Sequence, residues 1–356
     1  MDSISLNADN HKNSSEDRSL LLALLASHKT ELIDEQLKEQ GIEMRKNLSK
    51  TDLLARLNIY LDNKPEELAK IFAALNNLEG WGQQQIYLYE YRFPGSRVLR
   101  DKWQDRQWVK HHFQMNDMAE LLATQRSLAL PNQLTLTSAQ YCSNKPSVRF
   151  VWIQKRSNVS RAKSQDPDMP EWRKNEDSIP ERIILRAYRE TLVRDITSFD
   201  WDIASGLVMI MIRKLQKTDY VEVRDKMWTE LQGVIPGRDE FRTLSIARAI
   251  KTLDQNDEVV RTKLRYRSTE TGATITISSA GQHDISADSV VEGARAGFID
   301  YVNGYRGDVR WKIEGAKDVV LDLYGSDSND QRVGIKAQRN EKDVRHALQR
   351  IKSYCT

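Results

Sequence analysis

The sequence predicts an α+β protein in which an N-terminal helical bundle is followed by mixed α/β domains with a mainly antiparallel sheet. Three observations predict it. Leucines recur at helical spacing through residues 18–80. A β-hairpin signature occupies 258–279. Three short strand-like runs then precede an amphipathic terminal segment at 341–354. Helices first, with mixed short strands and helices after them, is the order of an α+β chain with more than one domain.

Residues 1–17 are polar and aperiodic and read as a disordered arm. Leu21, Leu22, Leu25, Leu32 and Leu37 fit a 3.6-residue period broken by a turn at 27–30. Gly41 stops the second helix as a C′ glycine. Ser49 is an N-cap for the helix carrying Leu53, Leu54, Leu57 and Leu61, with Asp52 at the N3 position. Pro65 opens the next helix, through Leu68, Ile71, Leu75 and Leu78. Periodicity leaves 83–91 open between strand and helix, and 115–126 reads as a helix ended by Pro131.

After Pro131 the texture shifts toward strands. Residues 133–137 alternate, and 147–154 place Val148, Phe150 and Trp152 on one face. A long basic loop is expected at 155–180, with Pro167, Pro170 and Pro180. Helices are expected at 202–216, 220–231 and 239–253. The hairpin turns at Glu270–Thr–Gly272, and a further helix at 284–301 has Ser286 as candidate cap. Strands are expected at 309–314, 319–324 and 332–337. The implied organisation is an arm (1–17), a helical N-terminal domain (18–130), a middle α+β domain (131–235) and a C-terminal α+β domain (236–356).

Composition narrows the function classes. The chain has 356 residues with 54 Lys+Arg and 51 Asp+Glu, a formal net charge of +3. Two cysteines, Cys142 and Cys355, rule out a disulfide scaffold or a Cys-rich zinc module. The longest apolar run, 20–26, is far short of the roughly 20 residues a membrane helix needs. The reading is an intracellular protein of cytoplasm, nucleoid or nucleus, without a membrane partner and without an evident cofactor or metal.

The sharpest chemical feature is 261–267. Alternate side chains of a strand share a face, so Arg261, Lys263, Arg265 and Arg267 form a cationic row about 20 Å long, with Val260, Thr262, Leu264 and Tyr266 turned to a core. Such charges repel one another, and a phosphate backbone would neutralise them. The bland counterpart is an edge strand made basic to block edge pairing. Two further basic stretches point the same way. Residues 92–110 hold Arg92, Arg97, Arg100, Lys102, Arg106 and Lys110 against two acids, or 6 − 2 = +4, with Trp103 and Trp108 interleaved. Residues 145–174 hold eight bases against three acids, or 8 − 3 = +5, including Lys155, Arg156, Arg161 and Lys163. Segregated charge of this kind is the footprint of a polyanion site.

Residues 31–42 followed by 48–57 resemble a SAP-type helix–turn–helix module. Lys50, Leu53, Arg56 and Leu57 match its Lys-x-x-Leu-x-x-Arg-Leu second helix. That resemblance implies DNA-backbone contact by Lys50 and Arg56. By domain order, with the strand pair 134–137 and 148–153 between helical and β-containing halves, the chain is similar to the kinetochore CENP-N family. That similarity implies a basic groove gripping DNA. The expected activity is therefore backbone-directed binding of nucleic acid, DNA favoured, by a non-catalytic subunit of a larger chromosome-associated or genome-defence assembly with other protein subunits.

Two other classes compete. One is a protein–protein adaptor that binds no nucleic acid. The other is a Mg²⁺-dependent nuclease relative built on Asp318 or Asp322 with Lys336, where Gly334 stands in place of the second metal-binding carboxylate. His111 and His112 are adjacent and diverge on a helix. Residues 304–307 read as a turn without the length or lysine of a phosphate loop, and 207–212 as a buried helix centre.

Overall fold

The computed structural model describes residues 15–45, 48–92, 131–142, 147–161, 188–214, 218–253, 259–279, 283–313, 318–326, 329–336 and 339–355. The architecture is α+β. Its frame is one mainly antiparallel sheet of eleven strands, running unbroken across residue 235. The expected helix at 115–126 lies outside the described residues.

The first helices follow their sequence signals: α1 (Ser15–Ala26), α2 (Thr30–Glu39), α3 (Lys50–Asn63) and α4 (Leu68–Gly80). Gly41 takes φ 77° just beyond α2, a left-handed conformation that costs glycine nothing. Ser49 caps α3 by accepting a hydrogen bond from the Asp52 N–H at 3.1 Å. The apolar faces of α1–α4 close on one another through Leu21, Leu25, Ile33, Leu37, Leu57 and Leu75.

The strands run β2-β3-β4-β5-β1-β11-β10-β9-β7-β8 across the sheet. They are β1 (Gln84–Tyr91), β2 (Thr135–Cys142), β3 (Ser147–Arg161), β4 (Tyr188–Asp202), β5 (Leu207–Arg213), β6 (Phe241–Thr243), β7 (Val259–Ser268), β8 (Thr274–Ser278), β9 (Val302–Trp311), β10 (Val319–Tyr324) and β11 (Arg332–Ile335). Short β6 pairs with the upper end of β1. The open question at 83–91 resolves as strand, and that strand is central.

Three expected elements become strand in whole or in part. The helix expected at 202–216 is instead β5, entered through Gly206 at φ 69°. A continuous apolar run reads alike in a buried helix and in a strand covered on both faces. Here Leu207, Met209 and Met211 enter one core while Val208, Ile210 and Ile212 enter the other. The loop expected from 155 begins later, because β3 continues to Arg161 and pairs with β4 as far as Tyr188. Residues 304–307 are strand rather than turn. A Cβ on Gly304 would stand 2.4 Å from the Ala247 carbonyl oxygen, so glycine there admits the helix above it.

That helix, α6 (Ile246–Leu253), is the surviving part of the one expected at 239–253, and with α8 (Glu341–Cys355) it covers one face of the sheet. Between Ile285 and Tyr301 only α7 (Ser289–Ala296) is α-helical, and Asp288 caps it rather than Ser286. The opposite face is covered over β1, β4 and β5 by α5 (Tyr220–Glu230), whose Trp228 meets Tyr89 edge-on at 5.1 Å. No helix among the described residues is long and apolar enough to cross a membrane.

The helical bundle joins the α6–α8 side of the sheet through a buried ion network. Glu79 on α4 accepts from Arg194 Nε at 2.5 Å and lies 3.4 Å from Arg213 Nη1. Arg194 also donates to Asn76 at 2.8 Å and sits over the Phe72 ring at 5.8 Å.

Candidate nucleic-acid interface

Over its C-terminal half the sheet has one face packed on α6 and α8. The other face carries a grid of polar and aromatic side chains set by strand register. Facing residues place Gly334, Asp322, Asp308 and Lys263 in one line across β11, β10, β9 and β7. The next line, two residues along each strand, is Arg332, Tyr324, Arg306 and Arg265.

Two register shifts in β7 against β9, at 261/263 and 265/266, decide which bases belong to this face. The first turns Arg261 to the core side with Val259, so it leaves the expected row. Arg261 is 2% exposed, its Nε lies 3.6 Å from Asp284, and its Nη2 donates to the Val259 carbonyl. The bulge rotates the backbone once, which strict alternation over 261–267 does not anticipate. Lys263, Arg265 and Arg267 remain in a row on the open face.

These three have no carboxylate partner among the described residues. Arg267 stacks over Tyr305 at 4.3 Å. Arg265 stands directly opposite Arg306, and its Nε is buried without a hydrogen-bond partner. Like charges facing across strands cost stability, and so does an unpaired buried donor. Neighbouring guanidiniums are held by rings: Arg306 lies 4.9 Å and Arg332 4.6 Å from the Tyr324 centroid, and Arg332 also lies 5.1 Å from Tyr220.

The acids of this face are committed elsewhere. Lys336 Nζ lies 2.7 Å from Asp322 and 3.0 Å from Asp308, and Arg306 is 3.9 Å from both carboxylates. Burial, together with the hydrogen-bonded Asp308, pushes the Asp322 carboxyl above its ordinary value. Burial opposes ionisation of Asp308, but hydrogen bonds from Asp322 and Lys336 outweigh it and hold that group below its ordinary value. Asp318, the other acid of the nuclease pattern, pairs with Arg310 at 3.8 Å. No group of three metal-type ligands occurs among the described residues.

The other expected residues that the structure describes are dispersed. Lys50 and Arg56 are exposed on α3, in the bundle attached to the opposite side of the sheet. Lys50 donates to the Ala26 carbonyl at 3.0 Å. Lys155 is exposed on β3, while Arg156 is paired with Asp195 at 2.8 Å. Arg92 is exposed just beyond β1. The backbone of Arg161 ends β3, and Arg97, Arg100, Lys102, Arg106, Lys110 and Lys163 lie outside the described residues.

The structure adds Arg306, Arg310 and Arg332 to the face, with Tyr305 and Tyr324. The signal that would find the first two is Arg306-x-Asp308-x-Arg310, a period of two inside β9. No protein-family model matches the chain, and no curated protein matches its sequence.

Proposed function

We propose that the protein binds nucleic acid, double-stranded DNA in preference, by phosphate contacts on the open face of β7 and β9, as a non-catalytic subunit of a larger DNA-acting assembly. One observation carries the reading: Lys263, Arg265 and Arg267 share a face without a carboxylate partner among the described residues, and Arg265 opposes Arg306. Along a strand these side chains repeat about every 6.7 Å, so the row presents cations to a passing backbone at successive points. The aromatic rings favour backbone contact over base stacking. Tyr305 and Tyr324 already carry guanidiniums and are not free platforms for unpaired bases. Recognition built on phosphates fixes position and carries little sequence information.

Duplex binding measured by fluorescence anisotropy across a salt series tests this. Each neutralised phosphate contributes about −0.9 to the slope of log K against log salt, so three contacts alone weaken binding about 40-fold between roughly 50 and 200 mM. The triple variant Lys263→Glu, Arg265→Glu, Arg267→Glu is expected to flatten the slope by about three and to weaken binding alike for unrelated sequences. An unchanged slope in that variant refutes the site. Absence of duplex binding at low salt favours the adaptor reading.

A second reading has one observation in its favour. Lys336 contacts Asp322 opposite Gly334, and Asp308 supplies a neighbouring carboxylate where the nuclease pattern lacks one. Mg²⁺-dependent cleavage of duplex that Lys336→Ala abolishes would support this nuclease reading over binding alone.

A further inference from the structure

We propose that β8 is a dimerisation edge, joining two copies of this chain by antiparallel pairing of β8 with β8 about a two-fold axis at Thr276. β8 ends the sheet. Its inner hydrogen bonds fix the direction of every backbone group. Ser268 N–H donates to Ala273 at 2.8 Å and Ser279 N–H donates to Thr262 at 3.1 Å, so the hydrogen-bonded pairs of this antiparallel ladder are alternate ones that include Ile275 and Ile277. The N–H and C=O groups of Thr274, Thr276 and Ser278 therefore point away from β7, and among the described residues nothing pairs with them.

Among the described residues, this edge lacks devices that the opposite edge carries. β2, at the other end of the sheet, carries a register irregularity between Leu136 and Ser138, and Pro131 precedes it. β8 has an unbroken register, no charge and no proline, so neither bulge, charge nor proline within the strand blocks strand addition.

A second copy is the occupant its sequence fits. Antiparallel pairing centred on Thr276 sets Thr274 opposite Ser278 of the other copy, and the reverse, with Thr276 opposite itself. Three facing pairs, each exchanging two bonds, then use all the outward groups. On one face the seam holds only Thr and Ser hydroxyls. On the other, half-buried Ile275 meets Ile277 of the second copy at the closer, non-hydrogen-bonded spacing. The arrangement is isologous and closes at two. It does not depend on nucleic acid. It would set two rows of Lys263, Arg265 and Arg267 on one continuous face, three strand spacings or about 14 Å apart.

Sedimentation velocity of the full-length chain over a concentration series tests it. A monomer–dimer equilibrium is expected. Thr276→Pro removes only an outward N–H and should give monomers with unchanged circular dichroism. Thr276→Lys and Thr276→Asp should each be monomeric, because each places a charge opposite itself, and mixing the two should restore a dimer. Thr276→Cys should form a disulfide-linked dimer on oxidation, since facing Cα atoms about 5.5 Å apart suit that bond. A monomeric wild type at the highest soluble concentration overturns the proposal. So does a dimer indifferent to Thr276→Pro and Thr276→Lys, or growth to larger assemblies.

Discussion

Glu79→Ala is expected to lower the unfolding free energy by about 3–5 kcal/mol, read as a fall in the urea midpoint at neutral pH. Arg194 is fully buried, and Glu79 is its one anionic partner among the ion pairs of the described residues. Removing the carboxylate takes a buried ion pair away from a fully buried guanidinium in the junction between bundle and sheet. Arg213 loses the same partner, and His28 Nε2, 3.8 Å from Glu79, loses that neighbouring carboxylate. Asn76 and the Phe72 ring still contact Arg194, but neither neutralises it.

The same network makes stability depend on acid. Burial opposes ionisation of Glu79, but Arg194, His28 and Arg213 outweigh it and hold the carboxyl at about 2 instead of 4.5. A folded-state value below the unfolded one stabilises the protein fully above about pH 4.5, and that stabilisation is lost as pH falls toward 2. The difference corresponds to about 3 kcal/mol. Glu79→Gln should remove this part of the acid dependence while keeping the side-chain shape. An acid profile identical in wild type and Glu79→Gln would show that the network does not hold the junction.

The legible parts of the fold are those whose signals are local. Ser49, Gly41 and Gly272 act through their own backbone and side-chain groups, so cap, stop and hairpin turn appear where the sequence puts them. Residues 207–212 read as a helix centre and are a strand, and the reason is non-local. Their apolar run is explained only by β1 and β4 on either side and by helices over both faces, none of which is written in the run itself. The site divides likewise. Alternation locates Lys263, Arg265 and Arg267 on one face, because period two follows from strand geometry alone. It could not place Arg261, whose orientation depends on a bulge set by pairing with β9. Nor could it bring Arg306 and Arg332 beside the row, since those distances come from register between strands far apart in sequence.

Arg261 and Arg265 should therefore behave as opposites although both are arginines of one strand. Arg261→Ala is expected to destabilise the fold by about 2–3 kcal/mol, somewhat less than Glu79→Ala, because the carboxylate it abandons, Asp284, keeps 23% side-chain exposure and some hydration. Asp284 also accepts from the Arg261 N–H at 3.3 Å and the Ser286 N–H at 3.1 Å, so losing the guanidinium loosens the start of the segment leading to α7. Lys263→Glu with Arg265→Glu should move the urea midpoint far less than Arg261→Ala, since these side chains make no ion pair among the described residues, and the carboxylate set opposite Arg306 offsets the one set opposite Asp308. That pair should carry the loss of duplex affinity, while folded Arg261→Ala keeps the wild-type salt slope. If Arg261→Ala instead weakened duplex binding with its unfolding midpoint unchanged, the bulge would not turn this residue inward, and the cationic row would have four members.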